Sequence, residues 1–310
     1  MQYTTLGRSG IKVSVMALGC GGPSRLARRT QPPEHSVAVV RAALEQGVNF
    51  LDTAESYGTE GFIGQAIAGW PRDQVVISTK KTVSRQGEMA PPDQVRASLE
   101  KCLSRLKTDY VDVLHMHNVR PGEYRYVREV LVGEALKLIQ EGKVRALGIT
   151  EDFEGDSGHS MLAEALRDDC WDVMMLGFNV VNQSARTRVF PQAIQRGVAT
   201  MNMYALRHLR HGGDHLRELV ARLVGEGRID AASMDLDNPL GFLLDSGAVG
   251  SPVEAAVRFC RHEPGITSVL TGTGDAAHVA VNAGYFELPP LPAEHVARLR
   301  GIFARVDHIS

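Results

Sequence analysis

The chain has 310 residues, 44% apolar and 23% charged, and a formal net charge of -2 from 34 basic and 36 acidic side chains. This is ordinary globular composition with ample core material, and a single α/β barrel can run this long. The near balance of charge excludes the strong basic field that nucleic acid or an anionic membrane would require of a partner.

In chain order the elements alternate. Residues 3–6 and 11–15 are short β-prone runs around Gly7-Arg8-Ser9-Gly10, and they predict a hairpin. A buried strand follows at 16–19, then a helix at 35–46 with Val37, Val40 and Leu44 on one face and Gly47 as its stop. Strand 49–52 precedes helix 61–68, and strand 75–79 precedes helix 92–106. In that helix Val95, Leu99, Cys102, Leu103 and Leu106 form an apolar stripe and Pro92 suits the first turn. The pairs continue as strand 111–116 with helix 133–140, strand 145–149 with helix 160–166, and strand 173–176 with helix 188–196. Strand 199–203 leads into a long insertion before helix 253–260, and strand 268–270 leads into helix 276–283. Residues 293–306 read as a last helix outside the repeat.

About eight βα units imply a parallel sheet, and that count favours closure into a (β/α)8 TIM barrel of roughly 250 residues. The chain thus reads as one barrel domain over 1–310. An open doubly wound sheet is the structural alternative, but its GxGxxG fingerprint is absent, since Gly19-Cys20-Gly21-Gly22 has the wrong spacing. The segment 207–250 reads as one long irregular stretch, rich in charge and glycine. In a barrel it would lie over the catalytic face as a lid or a disordered loop.

Cys20, Cys102, Cys170 and Cys260 are widely spaced, with no CxxC pair. Separate thiols in a reducing compartment are expected, not a disulfide framework or a thiolate metal site. No run approaches roughly 18 apolar residues, so no membrane span is expected. The N-terminal MQYTTLGRSGIKVSVMALG has no long apolar run behind a basic stretch, so no signal peptide and a cytoplasmic setting are expected.

In a barrel, reactive side chains gather at the C-terminal ends of the strands. Asp52, Lys80 and His117 end three successive strands, and Tyr57 lies in the loop after the first of these. Each has an ordinary reading alone: a cap, a solvated lysine, a structural histidine, a packing tyrosine. Their joint placement points to a site. Reduction of a carbonyl needs a hydride on carbon and a proton on oxygen. A phenol ordinarily titrates near 10, too high for acid–base work at neutrality. A buried ammonium beside it favours the phenolate, a carboxylate keeps that ammonium charged, and a histidine can orient the carbonyl oxygen.

Four phrases carry a resemblance: GVNFLDTAESYGTEGFIGQAI, VVISTKK, YVDVLHMHN and GKVRALGIT. With the opening TLGRSGIKVSVMALGCGG, the chain resembles the aldo-keto reductase superfamily over nearly its whole length. The resemblance implies a (β/α)8 barrel and NADPH-dependent reduction of a small-molecule aldehyde or ketone. It implies Tyr57 as general acid, Lys80 and Asp52 as its tuning pair, and His117 as the residue orienting the carbonyl. His115 faces the same way, deeper, and carries no assigned role.

The same resemblance implies cofactor contacts at Gly21, Gly22, Asp52 and Leu206, and departs from the family elsewhere. Where relatives grip the nicotinamide carboxamide with Ser-Asn and Gln, this chain has Thr150, Glu151 and Met175. Met203, followed by Tyr204, stands where many relatives stack a tyrosine on the ring. A thioether can pack on an aromatic face, and an ionised Glu151 can only accept from the carboxamide. At the adenosine end Gly272 and His278 replace the usual Lys and Arg. Gly272, Thr273 and Gly274 offer backbone N–H groups at a helix start, and Asn282 follows. Fewer fixed cations weaken a strict 2′-phosphate preference, though NADP(H) remains the expectation ahead of NAD(H).

Two other readings stand beside this one. Glu151 and Met175 suit a nicotinamide-binding sensor or regulatory subunit with little turnover. His115 and His117 form an HxH that could ligate a metal, but no further ligand cluster accompanies it and no metal is expected. Arg25, Arg28, Arg29, Arg207 and Arg210 read either as solvated surface or as readers of an anionic substrate or cofactor phosphate.

Overall fold

The computed structural model describes residues 1–21, 26, 32–209 and 213–310. Gly22, Arg25, Arg28, Arg29 and Arg210, singled out above, lie outside the described residues. An antiparallel hairpin, β1 (Tyr3–Thr5) and β2 (Lys12–Ser14), precedes eight parallel strands that close into a barrel. In chain order these are β3 (Met16–Gly19), β4 (Phe50–Asp52), β5 (Val76–Thr82), β6 (Val111–Val119), β7 (Val144–Glu151), β8 (Val173–Gly177), β9 (Ala199–Met203) and β10 (Ser268–Thr271). Each strand pairs with its neighbour in the barrel and β10 returns to β3, so closure leaves the barrel itself no open edge.

Side chains alternate along each strand between the barrel interior and the helical shell. The inner cluster contains Ala17, Phe50, Val76, Val113, Ala146, Val173, Met175, Ala199 and Met201. Leu6, Ile11 and Val13 join it from the hairpin, which thereby plugs the N-terminal end of the barrel. Outward residues such as Leu51, Ile77, Leu114, Leu147 and Met174 pack against the helices in a second, larger cluster. The stripe expected on residues 92–106 is buried on helix Asp93–Leu106, which Lys107 ends in the left-handed conformation.

Two strands run further than their apolar residues indicate. β5 continues through Lys80, Lys81 and Thr82, and β6 through His117, Asn118 and Val119, with Lys80 opposite His115 and Thr82 opposite His117. Lys80 and His117 therefore stand inside strands, not at their ends.

The segment after β9 corrects the expectation of one irregular stretch. It holds a helix at Gly213–Gly225 and a shorter one at Gly241–Asp245, joined through a 3-10 turn at Ala231–Ser233. Leu216, Leu219, Val220 and Leu223 are buried at helical spacing, with Asp214, Arg217, Glu218 and Arg222 on the other face. High charge marked an amphipathic helix there, not the absence of structure.

Candidate active site

β4 and β5 place the first two groups. Val113 faces the barrel interior, so His115 and His117, two and four residues on, face inward as well. The Lys80 ammonium donates to Asp52 Oδ2 at 2.5 Å and to the Thr53 carbonyl at 2.8 Å, and the Ser78 hydroxyl donates to Asp52 Oδ1 at 3.0 Å. Both members of the ion pair are almost fully buried. Burial pushes the Asp52 carboxyl up, and Lys80 is the main force opposing it. Burial likewise works against the Lys80 ammonium, but Asp52 and Tyr57 outweigh it and hold Lys80 above its ordinary value.

Tyr57 rides on a loop fixed at several points. Thr53 N–H donates to the Ser78 carbonyl, Tyr57 N–H to the Ala54 carbonyl, and the Thr53 and Thr59 hydroxyls bond at 2.8 Å. Glu55 accepts from the Thr82 N–H at 2.8 Å and from Lys81 at 3.0 Å, which ties the loop to β5. The Lys80 ammonium lies 5.0 Å from the Tyr57 ring centroid. The His117 ring meets Tyr57 edge-on, 5.8 Å between centroids at 81°. Burial and the Lys80 charge bring the His117 pKa down to about 3, so this imidazole is neutral at physiological pH. Gly21 makes room for the phenol ring, because a Cβ there would sit 2.3 Å from Tyr57 Cε2.

Asp52 and Tyr57 border a cleft of about 400 Å³, a size suited to a small-molecule or cofactor site, and Lys80 and His117 reach it through their contacts with these two. Gly19, Gly21, Asp52, Tyr57, Met175, Met203, Tyr204, Leu206 and Gly272 line it, together with Thr271, Glu154 and Arg207. Seven of the residues expected at the cofactor are thus brought to one surface: Gly21, Asp52, Met175, Met203, Tyr204, Leu206 and Gly272. Thr150 does not line the cleft: it is buried, its hydroxyl accepting from the Asn118 N–H at 2.7 Å.

Other expected contacts lie elsewhere. Glu151 is turned away from the cleft: its carboxylate takes His159 Nδ1 at 2.8 Å and the Gly177 N–H at 2.9 Å, in full burial. A buried carboxylate needs such partners, so the carboxamide contact expected of Glu151 is replaced by an internal one. Burial pushes this carboxyl up, with His159 opposing. Thr273 is occupied by the Asp275 backbone, accepting its N–H at 3.1 Å, and Gly274 offers its carbonyl to His35. His278 is exposed and Asn282 part-buried on helix Ala276–Tyr285, and neither lines the cleft. His115 sits fully buried opposite Lys80, its ring in a notch that Gly148 leaves open. Among the described residues no group of three or more His, Cys, Asp or Glu side chains is placed to hold a metal ion.

A family model described as "Aldo/keto reductase family" matches residues 16–304. The chain belongs to the aldo/keto reductase family. A curated relative, "Probable aldo-keto reductase 1" of Glycine max, is 32% identical over 159 residues, 49% of this chain and 45% of that protein; the chain thus matches about half the length of that relative. Among solved structures, the holo form of aldo-keto reductase AKR11C1 from Bacillus halodurans superposes with a TM-score of 0.73 at 22% identity. It covers 97% of this chain and 96% of its own. An aldo/keto reductase from Klebsiella pneumoniae, solved in complex with NADP and acetate, gives a TM-score of 0.68 at 20% identity over 100% of both chains. A second Klebsiella pneumoniae structure, in complex with NADPH, gives 0.68 at 21%, covering 100% of this chain and 96% of its own.

This aldo/keto reductase chain also holds groups that sequence reading missed. Phe153 stacks on His159 (5.7 Å) and on Tyr204 (5.9 Å), and the Arg207 guanidinium also lies over the Tyr204 ring. His159, which pairs with Glu151, adopts the left-handed backbone, φ 62°, which no residue pattern announces.

Proposed function

We propose that this chain is a nicotinamide-dependent oxidoreductase that reduces a small aldehyde or ketone to the alcohol, with Tyr57 as general acid. The observation that carries the reading is the buried Lys80–Asp52 pair set behind Tyr57, with a neutral His117 edge-on to the same ring. Tyr57 delivers the proton to the carbonyl oxygen. Lys80 stabilises the phenolate left behind, and Asp52 keeps Lys80 charged in a dry site. His117, neutral, donates a ring N–H to the same oxygen and fixes its direction.

The cleft suits a nicotinamide cofactor. Met175 and Met203 offer thioethers to a flat ring, and the Thr271 hydroxyl is buried without a hydrogen-bond partner among the described residues. When bound, the cofactor supplies the hydride. We carry NADP(H) ahead of NAD(H), on the strength of the Klebsiella pneumoniae neighbours solved with NADP and NADPH. A cytoplasmic setting belongs to the same proposal; among the described residues no helix is long and apolar enough to cross a membrane.

The test is oxidation of NADPH or NADH against a panel of aldehydes and ketones. Turnover is expected, and Tyr57→Phe is expected to slow it about 10²–10⁴-fold. Cofactor binding without turnover on any carbonyl would instead support the sensor reading, which the withdrawal of Glu151 from the cleft favours.

A further inference from the structure

Arg207 and Glu154 face each other across the rim of the cleft, and both line it. Arg207 Nη2 donates to Glu154 Oε1 at 2.7 Å, while the guanidinium lies 4.5 Å from the centroid of the Tyr204 ring. The two partners are not held alike. The Arg207 side chain is 25% exposed and Glu154 is 68% exposed. Arg207 also stands at the end of a stack that runs inward through Tyr204 and Phe153 to His159, which the buried Glu151 anchors. Gly177 permits this stack, since a Cβ there would come 2.5 Å from Phe153 Cδ1. Among the described residues lining the cleft, Arg207 is the one cation, and Asp52, the other acid there, is already paired with Lys80.

We infer that Glu154 is a built-in competitor for Arg207: it occupies the guanidinium in the empty cleft and gives way to a phosphate group of the incoming dinucleotide. This rests on the proposed nicotinamide cofactor. A solvent-exposed ion pair is weak and easily surrendered, whereas a planar guanidinium fixed by stacking can receive a phosphate bidentately. Glu154 is the partner that moves, because little besides Arg207 covers it. Its carboxylate swings into water as Arg207 changes counter-ion. The exchange keeps the cleft near neutral before binding and screens Arg207 from smaller anions.

The experiment is calorimetric titration with NADPH, without substrate, of the wild type, Glu154→Gln, Arg207→Gln and the double variant, with melting curves confirming that each folds. Glu154→Gln is expected to bind about two- to five-fold tighter, the range an exposed pair can withhold. Arg207→Gln is expected to bind at least about ten-fold more weakly, as fits loss of a charged hydrogen bond. In the Arg207→Gln background, Glu154→Gln should change nothing. If it tightens binding equally there, Glu154 acts by plain charge repulsion and the exchange is overturned. An unchanged NADPH affinity in both single variants, with an altered KM only for a carboxylate-bearing aldehyde, would place the anion on the substrate and also overturn it. Wild type that binds neither NADPH nor NADH removes the proposed function itself, and this exchange with it; binding by wild type with no response to Glu154→Gln removes the exchange alone.

Discussion

Replacing Lys80 with methionine isolates the electrostatic half of the site. Lys80 Nζ meets Asp52 at 2.5 Å with both side chains nearly solvent-free, so the variant leaves a buried carboxylate with the Ser78 hydroxyl as its remaining side-chain donor. Removing one partner of a buried ion pair costs about 3–5 kcal/mol. At about 2 °C per kcal/mol for a chain of this length, the melting temperature should fall by about 6–10 °C at pH 7. The pH dependence has a definite sign. Burial already pushes Asp52 up, and without Lys80 nothing comparable opposes it. A carboxyl whose native pKa exceeds its unfolded value favours folding most below the unfolded value and loses that contribution as pH rises through the native one. The deficit of Lys80→Met relative to wild type should therefore shrink as pH falls from 7 toward 5. Adding Asp52→Asn, which removes the unpaired charge, should recover much of the loss. Thermal unfolding of the three proteins across that pH range is the assay. A Lys80→Met variant that melts within about 2 °C of wild type at pH 7, or a double variant no more stable than the single, would refute the reasoning.

Three further outcomes follow from the same geometry. Gly21→Ala places a methyl 2.3 Å from the Tyr57 ring; steady-state kinetics should show kcat down on the order of 10²-fold with the circular dichroism spectrum unchanged. Gly148→Ala would set a Cβ 2.2 Å from His115 Nδ1, and such overpacking should cost about 1–3 kcal/mol in urea unfolding, recovered in part by His115→Ala in the same chain. NMR titration should find the His117 imidazole neutral from pH 8 down to 5, since its pKa lies at about 3. Because that native value is below the ordinary 6.5, the contribution of His117 to stability is lost as pH falls from 6.5 toward 3.

Much of the barrel was legible because its signals are local. Strands such as Val173–Gly177 are continuous apolar runs, and helices such as Asp93–Leu106 carry a clean stripe. Asp52, Tyr57, Lys80 and His117 were legible because a parallel barrel converts strand order into spatial order. What escaped depends on distant geometry. The charges of Gly213–Gly225 masked an amphipathic face that Leu216, Leu219, Val220 and Leu223 in fact spelled out. Glu151 could not be separated from a cofactor contact by sequence, because its partner His159 meets it through an unusual backbone angle. The pairing of Arg207 with Glu154 spans 53 residues, so the sequence left Arg207 open between solvated surface and a reader of anions, with no sign of its acidic partner.

The most direct test of the central claim follows the hydride itself. Purified protein, NADPH deuterated at C4 of the dihydronicotinamide, and a panel of aldehydes and ketones should yield an alcohol with deuterium on the former carbonyl carbon, by mass spectrometry. The same mixture with Tyr57→Phe should yield about 10²–10⁴-fold less in equal time. Absence of labelled alcohol with every carbonyl, or undiminished labelling by Tyr57→Phe, would contradict the account.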